Sequence, residues 1–270
     1  MQIDKLIKAI VAQPLKKEGF GKAPSREANT WVFAKSKGSY YHYVYITFET
    51  IALPSGSSYR VGVNINSSAP RGYGVSLAKI IENPPLAIKD ELKFYDTDEQ
   101  IEEYLTTAVN VIIESAIPLF DCLDRPMILP STQLHENLSV DTGKRAEDFL
   151  KQNDLHFVDD VNGVKEMIRK TETVIKEVQF SPIEEVSGFL VNATAFIGEL
   201  IRRIHGGEWG WDPHYGKTYL LYNVGGRRTC MSGALGVTFS YWVRPEIYGA
   251  GISAHYKLLL HQLGIDDVFK

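Results

Sequence analysis

Apolar residues recur at helical spacing in six stretches of the chain. The first stretch carries its apolar residues between Ile3 and Val11, and Pro14 marks its approximate end. Another begins after Thr97, an N-cap residue followed by acidic residues that suit the positive end of the helix dipole. The six predicted helices span residues 3–13, 97–117, 144–152, 163–178, 182–204 and 252–263.

Other stretches are rich in aromatic and β-branched residues, which is typical of strands. In the segment YRVGVNI, apolar positions alternate with Arg60, Gly62 and Asn64, as in a sheet with one buried face. The residues 75–81 predict a short helix that the prolines at 84 and 85 end. The predicted strands span residues 31–34, 40–51, 59–65, 218–224 and 237–243.

This order of elements predicts an α+β fold with two domains, each a mainly antiparallel sheet packed against helices. The segment DRPMILPSTQLHEN, residues 124–137, contains two prolines and interrupts the regular helical pattern. We place the boundary there, which gives an N-terminal domain of residues 1–128 and a C-terminal domain of residues 129–270.

Composition narrows the class of protein. The chain has 270 residues, of which 44% are hydrophobic and 23% charged, which is typical of a folded globular protein. A net charge of -4 provides no general attraction to nucleic acid or anionic lipid, so we expect neither partner. Without an export signal or an uninterrupted apolar run of about 20 residues, we expect a cytoplasmic protein.

The segment FIGELIRRIHGGEWGW, residues 196–211, is the first functional candidate. It leads from a helix through a glycine pair to two tryptophans, and Glu199 and Arg203 have the spacing of a surface ion pair. Tryptophan and arginine are favoured where a protein grips a partner. The alternative is that the tryptophans cap the core while the arginines stay solvated. The predicted binding residues are Arg202, Arg203, His205, Glu208, Trp209, Trp211 and Tyr215.

The competing hypothesis is that residues in and near this segment bind a metal ion or catalyse a reaction. His205 and His214, with Asp212 or Glu208, offer metal-ligating atoms but no recognised spacing, so we predict no metal and no cofactor. Cys230 follows two arginines that would favour its thiolate, yet no base accompanies it. We therefore assign no catalytic residue.

A tyrosine-rich strand, SYYHYVYITF, is the last candidate. Aromatic platforms stack nucleic-acid bases, but this strand has no accompanying basic run. Core packing is the favoured interpretation of its tyrosines.

Two segments carry a resemblance to known proteins. LKKEGFGKAPSREANTWVFAK with the tyrosine-rich strand resembles bacterial domains of unknown function that begin with a helix, a GF turn and a sheet. AFIGELIRRIHGGEWGW is similar to a second bacterial type, in which a helix with a Gly-Glu pair ends at Gly-Gly before a tryptophan. The resemblance to accessory and toxin-immunity proteins implies a cytosolic protein that binds a protein partner. The alternative is an enzyme or small-ligand protein with a cleft between domains, which uses His205, His214 or Cys230.

Overall fold

The computed structural model describes residues 3–22, 29–53, 56–89, 93–224, 227–231 and 234–265. The chain divides into two compact units, of which unit 1 contains Met1–Met127 and Glu246–Gly249 and unit 2 contains Ile128–Pro245 and Ala250–Lys270. Antiparallel sheets pack against helices, so the predicted α+β class is confirmed. The domains 1–128 and 129–270 stay a prediction. The segment Glu246–Gly249, predicted to lie in the second domain, belongs to unit 1, where Arg125 forms a bidentate ion pair with Glu246.

Unit 1 is built on an antiparallel sheet of six strands. Their order is β1-β2-β3-β4-β5, and β6 pairs with β4. The strands are β1 (Gly21–Lys22), β2 (Thr30–Lys37), β3 (Tyr40–Leu53), β4 (Gly56–Ser67), β5 (Gly74–Ser76) and β6 (Phe94–Tyr95). The predicted helix at 75–81 is wrong in its first part, because residues there pair with β4 before a single 3-10 turn, Leu77–Lys79.

Strand β3 shows which face of this sheet is buried. Val44 and Ile46 are fully buried, and His42 on the same face is 4% exposed. The tyrosines at 41, 43 and 45 alternate with these residues and line the outer face. Tyr41 is 45% exposed, so the expectation of core packing is wrong for it.

The helices of unit 1 supply the rest of its core. The stretch 98–123 is the one described helical stretch that is long and apolar enough to cross a membrane by length and composition. Its residues Ile101, Leu105 and Ile112 are fully buried, as in the core helix of a folded domain. The predicted N-cap Thr97 is confirmed by a capping box with Gln100. The helices are α1 (Ile3–Leu6), α2 (Gln13–Lys17), α3 (Leu86–Lys89), α4 (Asp98–Val111) and α5 (Phe120–Leu123), with π-helical turns at Ile7–Ala12 and Ile112–Ala116 and a 3-10 turn at Ile117–Leu119.

Unit 2 is organised around its longest helix, which contacts the other helices of the unit. Every residue from Thr194 to Ile201 in this helix is buried, so it is a core helix rather than a surface one. The helices are α6 (Thr132–Ser139), α7 (Thr142–Gln152), α8 (Val161–Glu177), α9 (Ile183–His205), α10 (Ala234–Val243) and α11 (Ile252–Gln262), and α9 is the central one.

An antiparallel sheet of three strands completes unit 2. The order β7-β8-β9 joins β7 (Glu208–Asp212), β8 (Lys217–Val224) and β9 (Arg227–Met231). The predicted strand at 237–243 is wrong, because this segment is helix α10. Its apolar residues surround the helix, and Thr238 and Trp242 are buried as well.

Candidate functional site

The buried carboxylate of Glu199 organises the predicted binding segment. Glu199 lies in the last third of α9 and is 4% exposed. The indole Nε1 of Trp209 donates to its Oε1 at 2.7 Å, and Arg202 donates from Nε and Nη2 to its Oε2 at 3.0 and 2.8 Å. A buried carboxylate is stable when charged and polar donors surround it in this way. The same contact raises the pKa of Arg202.

Gly198 makes room for the indole of Trp209. A Cβ atom at this position would lie 2.2 Å from ring atom Cζ2 of Trp209 and 2.4 Å from Cη2. Real side chains do not approach so closely, so the ring rests directly on the backbone of α9. Gly198 and Glu199 therefore hold the Trp209 side chain together: Gly198 leaves space for the ring, and Glu199 accepts the hydrogen bond from its N–H.

The glycine pair lets the chain turn back onto the helix. Gly206 and Gly207 have φ angles of +74° and +107°, which L side chains adopt only with strain. Helix α9 ends at His205, one residue beyond the predicted end and directly before the glycine pair, and β7 begins three residues later. The turn returns Trp209 to Gly198, eleven residues earlier in the chain.

Arg203 and His205 contact other parts of unit 2. Arg203 is exposed, and its guanidinium carbon lies 3.5 Å from the ring centroid of Phe157, a cation–π contact. The expected pair of Glu199 with Arg203 is thus replaced by the pair of Glu199 with Arg202. His205 Nε2 lies 2.8 Å from the hydroxyl of Tyr256, and burial lowers the pKa of His205.

The β7–β8 turn holds Tyr215, one of the exposed residues among the predicted binding residues. Asp212 Oδ1 accepts hydrogen bonds from the backbone N–H groups of His214 and Tyr215, at 2.8 and 3.2 Å. This local pattern fixes the turn. The ring of Tyr215 is 65% exposed and lies edge-on to His214 at 4.8 Å.

The structure thus divides the seven predicted residues into three groups. Arg202 and Trp209 meet at Glu199, and both are half-buried. His205 and Trp211 are also half-buried, whereas the solvent-exposed residues are Arg203, Glu208 and Tyr215. Among the residues that the structure describes, neither His205 nor His214 belongs to a cluster with metal-ligand spacing. The side chain of Cys230 lies outside the described part of the chain.

Unit 1 contains a polar cluster around Asp124 that the sequence did not predict. Asp124, which follows α5, accepts hydrogen bonds from Ser67 Oγ at 2.6 Å, from Tyr40 Oη at 2.8 Å and from His42 Nε2 at 2.8 Å. Burial alone would raise the pKa of Asp124, but these three hydrogen bonds together hold it below its ordinary value. The carboxylate is therefore the charged anchor of the cluster.

Lys37 supplies the positive charge of this cluster. Its ammonium contacts Asp121 and lies 3.4 Å from Asp124 Oδ2. The hydrogen bond with Asp121 is the main reason that the pKa of Lys37 is raised. The ligand atoms of His42, Asp121 and Asp124 lie within 4.8 Å of one another, a spacing compatible with a metal ion. Because Lys37 contacts both carboxylates, a metal ion would have to displace its ammonium.

A cavity of about 210 Å³ adjoins the same residues. The ring of His42 stacks on Phe120 with centroids 4.5 Å apart, and both residues line the cavity. The lining combines apolar, hydroxyl and charged groups, from Phe20, Lys35, Ser36, Lys37, His42, Ile117, Phe120 and Asp121. The polar residues of the lining come from distant segments, and Lys37 and Asp121 are 84 residues apart, so no local motif indicates them.

Comparison of the chain with protein-family models, with curated proteins and with solved structures gives no match.

Proposed function

We propose that this chain is a partner-binding protein whose contact surface is the exposed part of the segment 203–215. This surface comprises Arg203, Glu208 and Tyr215. The observation that carries the proposal is the ring of Tyr215, which is 65% exposed on a turn fixed by two hydrogen bonds to Asp212. A rigid, exposed tyrosine contributes contact area with little entropy to lose on binding.

The contacts of Glu199 support this proposal, because they hold the residues that position the turn and the strand. Trp209 and Arg202 are held by Glu199, so they position the turn and the strand rather than contact the partner. Arg203 is held over Phe157 with its charge near solvent. Arginine and tyrosine, together with tryptophan, are the residues that most often dominate binding energy at protein interfaces. The resemblance to accessory and immunity proteins makes a cytosolic, bacterial, non-catalytic role part of the same proposal.

Quantitative affinity capture from the source cells tests this role. We expect Arg203→Ala and Tyr215→Ala each to reduce recovery of a stoichiometric protein at least fivefold, since truncation of a central arginine or tyrosine costs roughly 1–2 kcal/mol or more. Phe180→Ala, which truncates another exposed aromatic residue of unit 2, is the matched control and should leave recovery unchanged. Equal recovery with all three variants contradicts the proposal.

A second candidate function is the binding of a small polar ligand in the unit 1 cavity. The specific observation is that His42, Lys37 and Asp121 border a space of about 210 Å³. That volume is below the roughly 300–1,000 Å³ of most ligand pockets, so the ligand would have few heavy atoms. Ligand-observed NMR with a fragment library tests it. Ser36→Phe should fill the cavity and abolish any binding, while the exposed change Glu49→Gln should not.

A further inference from the structure

The cavity of unit 1 is bordered by a histidine ring that is almost completely buried. His42 is 4% exposed and lines the space of about 210 Å³. Its Nε2 lies 2.8 Å from Asp124 Oδ1, and in the described part of the chain this is the one hydrogen bond of the ring. The other ring nitrogen, Nδ1, therefore remains open to a molecule that enters the cavity.

Asp124 determines which nitrogen of His42 carries the proton. Although burial opposes it, the hydrogen bonds from Ser67, Tyr40 and His42 hold the pKa of Asp124 below its ordinary value. The carboxylate is therefore charged at neutral pH and can only accept hydrogen bonds. The neutral ring of His42 must then donate from Nε2, which leaves its lone pair on Nδ1. A ligand group that faces Nδ1 has to donate a hydrogen bond.

Lys35 supplies a positive charge to the same cavity. The β2–β3 register places Lys35 directly opposite His42, so both side chains leave the same face of the sheet with Cβ atoms about 4.5–5.5 Å apart. The ammonium of Lys35 lies 5.8 Å from the ring centroid of Phe20 and, within the described ranges, has no carboxylate or hydrogen-bond partner. Lys37, in contrast, contacts both carboxylates of the polar cluster. Lys35 is therefore the charge left for a ligand.

The apolar part of the lining determines the shape and size of the ligand. It comprises Phe20, Ile117 and Phe120, and the two phenylalanine rings lie 5.7 Å apart at an angle of 45°. Aromatic walls of this kind favour a flat ring. Because an apolar cavity of about 150 Å³ holds benzene, the space of about 210 Å³ takes one ring with one or two small substituents.

We propose that the unit 1 cavity binds a small aromatic acid that carries a hydroxyl group. The ring lies against Phe20 and Phe120, the carboxylate pairs with Lys35, and the hydroxyl donates to His42 Nδ1. This inference rests on the second candidate function, ligand binding in this cavity, and names the class of the ligand. A ligand with an ammonium group as the donor is disfavoured, because Lys35 and Lys37 both border the space.

The test is an NMR titration of the full chain with matched probes. The first probes are 3-hydroxybenzoate and 4-hydroxybenzoate, which place the hydroxyl at two distances from the carboxylate. Benzoate lacks the hydroxyl, and the corresponding hydroxybenzamides lack the charge. We expect at least one hydroxybenzoate to bind, benzoate to bind about threefold to tenfold more weakly, and the hydroxybenzamide about tenfold or more.

Two NMR signals locate the ligand in the cavity. Intermolecular nuclear Overhauser effects should join the ring protons of the bound hydroxybenzoate to the rings of Phe20 and Phe120. The nitrogen resonance of His42 Nδ1 should shift more with the hydroxybenzoate than with benzoate, because the hydroxyl alone donates to it.

Protein variants test the two polar contacts. Lys35→Gln removes the charge and should weaken hydroxybenzoate about tenfold or more, with little effect on the hydroxybenzamide. Lys93→Gln is the matched control, since the ammonium of Lys93 lies 5.4 Å from the ring centroid of Tyr95, away from the cavity lining, and both affinities should stay unchanged. His42→Phe should give hydroxybenzoate and benzoate equal affinities. If His42→Phe fails to fold, the Nδ1 resonance of the native chain decides the same point.

The inference is overturned if neither hydroxybenzoate binds at millimolar concentration, or if Lys35→Gln and Lys93→Gln bind it equally well. Fragments of another class that contact Phe20 and Phe120, together with failure of the hydroxybenzoates, would overturn the ligand class and keep the second candidate function. If no fragment contacts these rings, both are rejected. The partner-binding proposal is judged separately, by recovery of a protein with Arg203→Ala and Tyr215→Ala.

Discussion

Trp209 donates its indole N–H to Glu199 at 2.7 Å across the turn that joins α9 to β7. The ring lies where a side chain at Gly198 would otherwise stand. The segment 196–211, which the sequence analysis predicted to be a binding site, thus also holds strand β7 against helix α9. The buried residues of this segment fix the backbone that carries its exposed residues.

The first prediction concerns Gly198. Gly198→Ala should destabilise unit 2 by about 1–3 kcal/mol or more, because the new methyl group would overlap the Trp209 ring and force it away. Urea unfolding followed by tryptophan fluorescence measures this change. Gly188→Ala is the matched control in the same helix, where a Cβ atom meets nothing within 4 Å. It should stabilise the helix by about 0.5–1 kcal/mol. Equal effects of the two changes would contradict the packing described for Trp209.

The second prediction concerns the hydrogen bond between Trp209 and Glu199. Trp209→Phe keeps an aromatic ring but removes the N–H that reaches Glu199. We expect a loss of about 1–3 kcal/mol, because a buried carboxylate loses one of its donors and the smaller ring leaves space. Trp209→Phe in the Glu199→Gln background should cost less, which a double-mutant cycle of urea unfolding curves detects. Strictly additive costs would show that the two residues do not interact.

Local patterns in the sequence account for much of the fold. The end of α9 follows from the glycine pair, and the start of α4 follows from Thr97 with an acidic first turn. The alternation around Val61 and Val63 shows which face of β4 is buried. These features depend on neighbours within a few residues, so the sequence displays them directly.

Helix α10 shows where local patterns fail. The alternation of Val237, Phe239 and Tyr241 satisfies a strand template, but Leu235 and Trp242 are buried as well. A helix that is apolar on all sides has no polar face to reveal its period. Only the packing of α8, α9, α11 and β8 against it, which brings together distant parts of the chain, distinguishes the two interpretations.

The two polar sites depend on tertiary structure even more strongly. Nothing within one helical turn of Glu199, apart from Arg202, indicates that its carboxylate is buried, because the indole arrives from residue 209. Asp124 is joined to Ser67 and Tyr40 across 57 and 84 residues. Such clusters are visible only after the strands are in register.

The third prediction concerns acid sensitivity at His135. This residue is 4% exposed, and its Nδ1 accepts the backbone N–H of Thr218 at 3.3 Å. Burial, and then the charge of Lys217, lower the pKa of His135 below its ordinary 6.5. The unfolded chain therefore gains a proton first, and the stabilisation by His135 is lost as the pH falls below about 6.5. Urea unfolding between pH 7.5 and 5.5 measures the effect.

His135→Asn is the control for this prediction. The amide oxygen of asparagine can accept the Thr218 N–H but does not titrate in this range. The difference in unfolding free energy between the two proteins should shift against the native chain as the pH falls. A difference that stays constant from pH 7.5 to 5.5 would exclude His135 as the source.

The last prediction has the opposite sign and concerns Glu172 of α8. Its carboxylate accepts the N–H and the hydroxyl of Ser253 at 2.8 and 2.6 Å, at the first turn of α11. Burial nevertheless dominates and raises the pKa of Glu172 above its ordinary 4.5. The folded chain therefore keeps this proton to a higher pH than the unfolded chain, so the unfolding free energy should fall as the pH rises from about 4.5 to the folded pKa. In Glu172→Gln this contribution is absent, and the variant should gain stability relative to the native chain across that interval.

Glu177→Gln, an exposed change in the same helix, should show no such gain. Direct titration of the Glu172 carboxyl carbon by NMR decides the point, because a midpoint at or below 4.5 would mean that the hydrogen bonds from Ser253 outweigh burial.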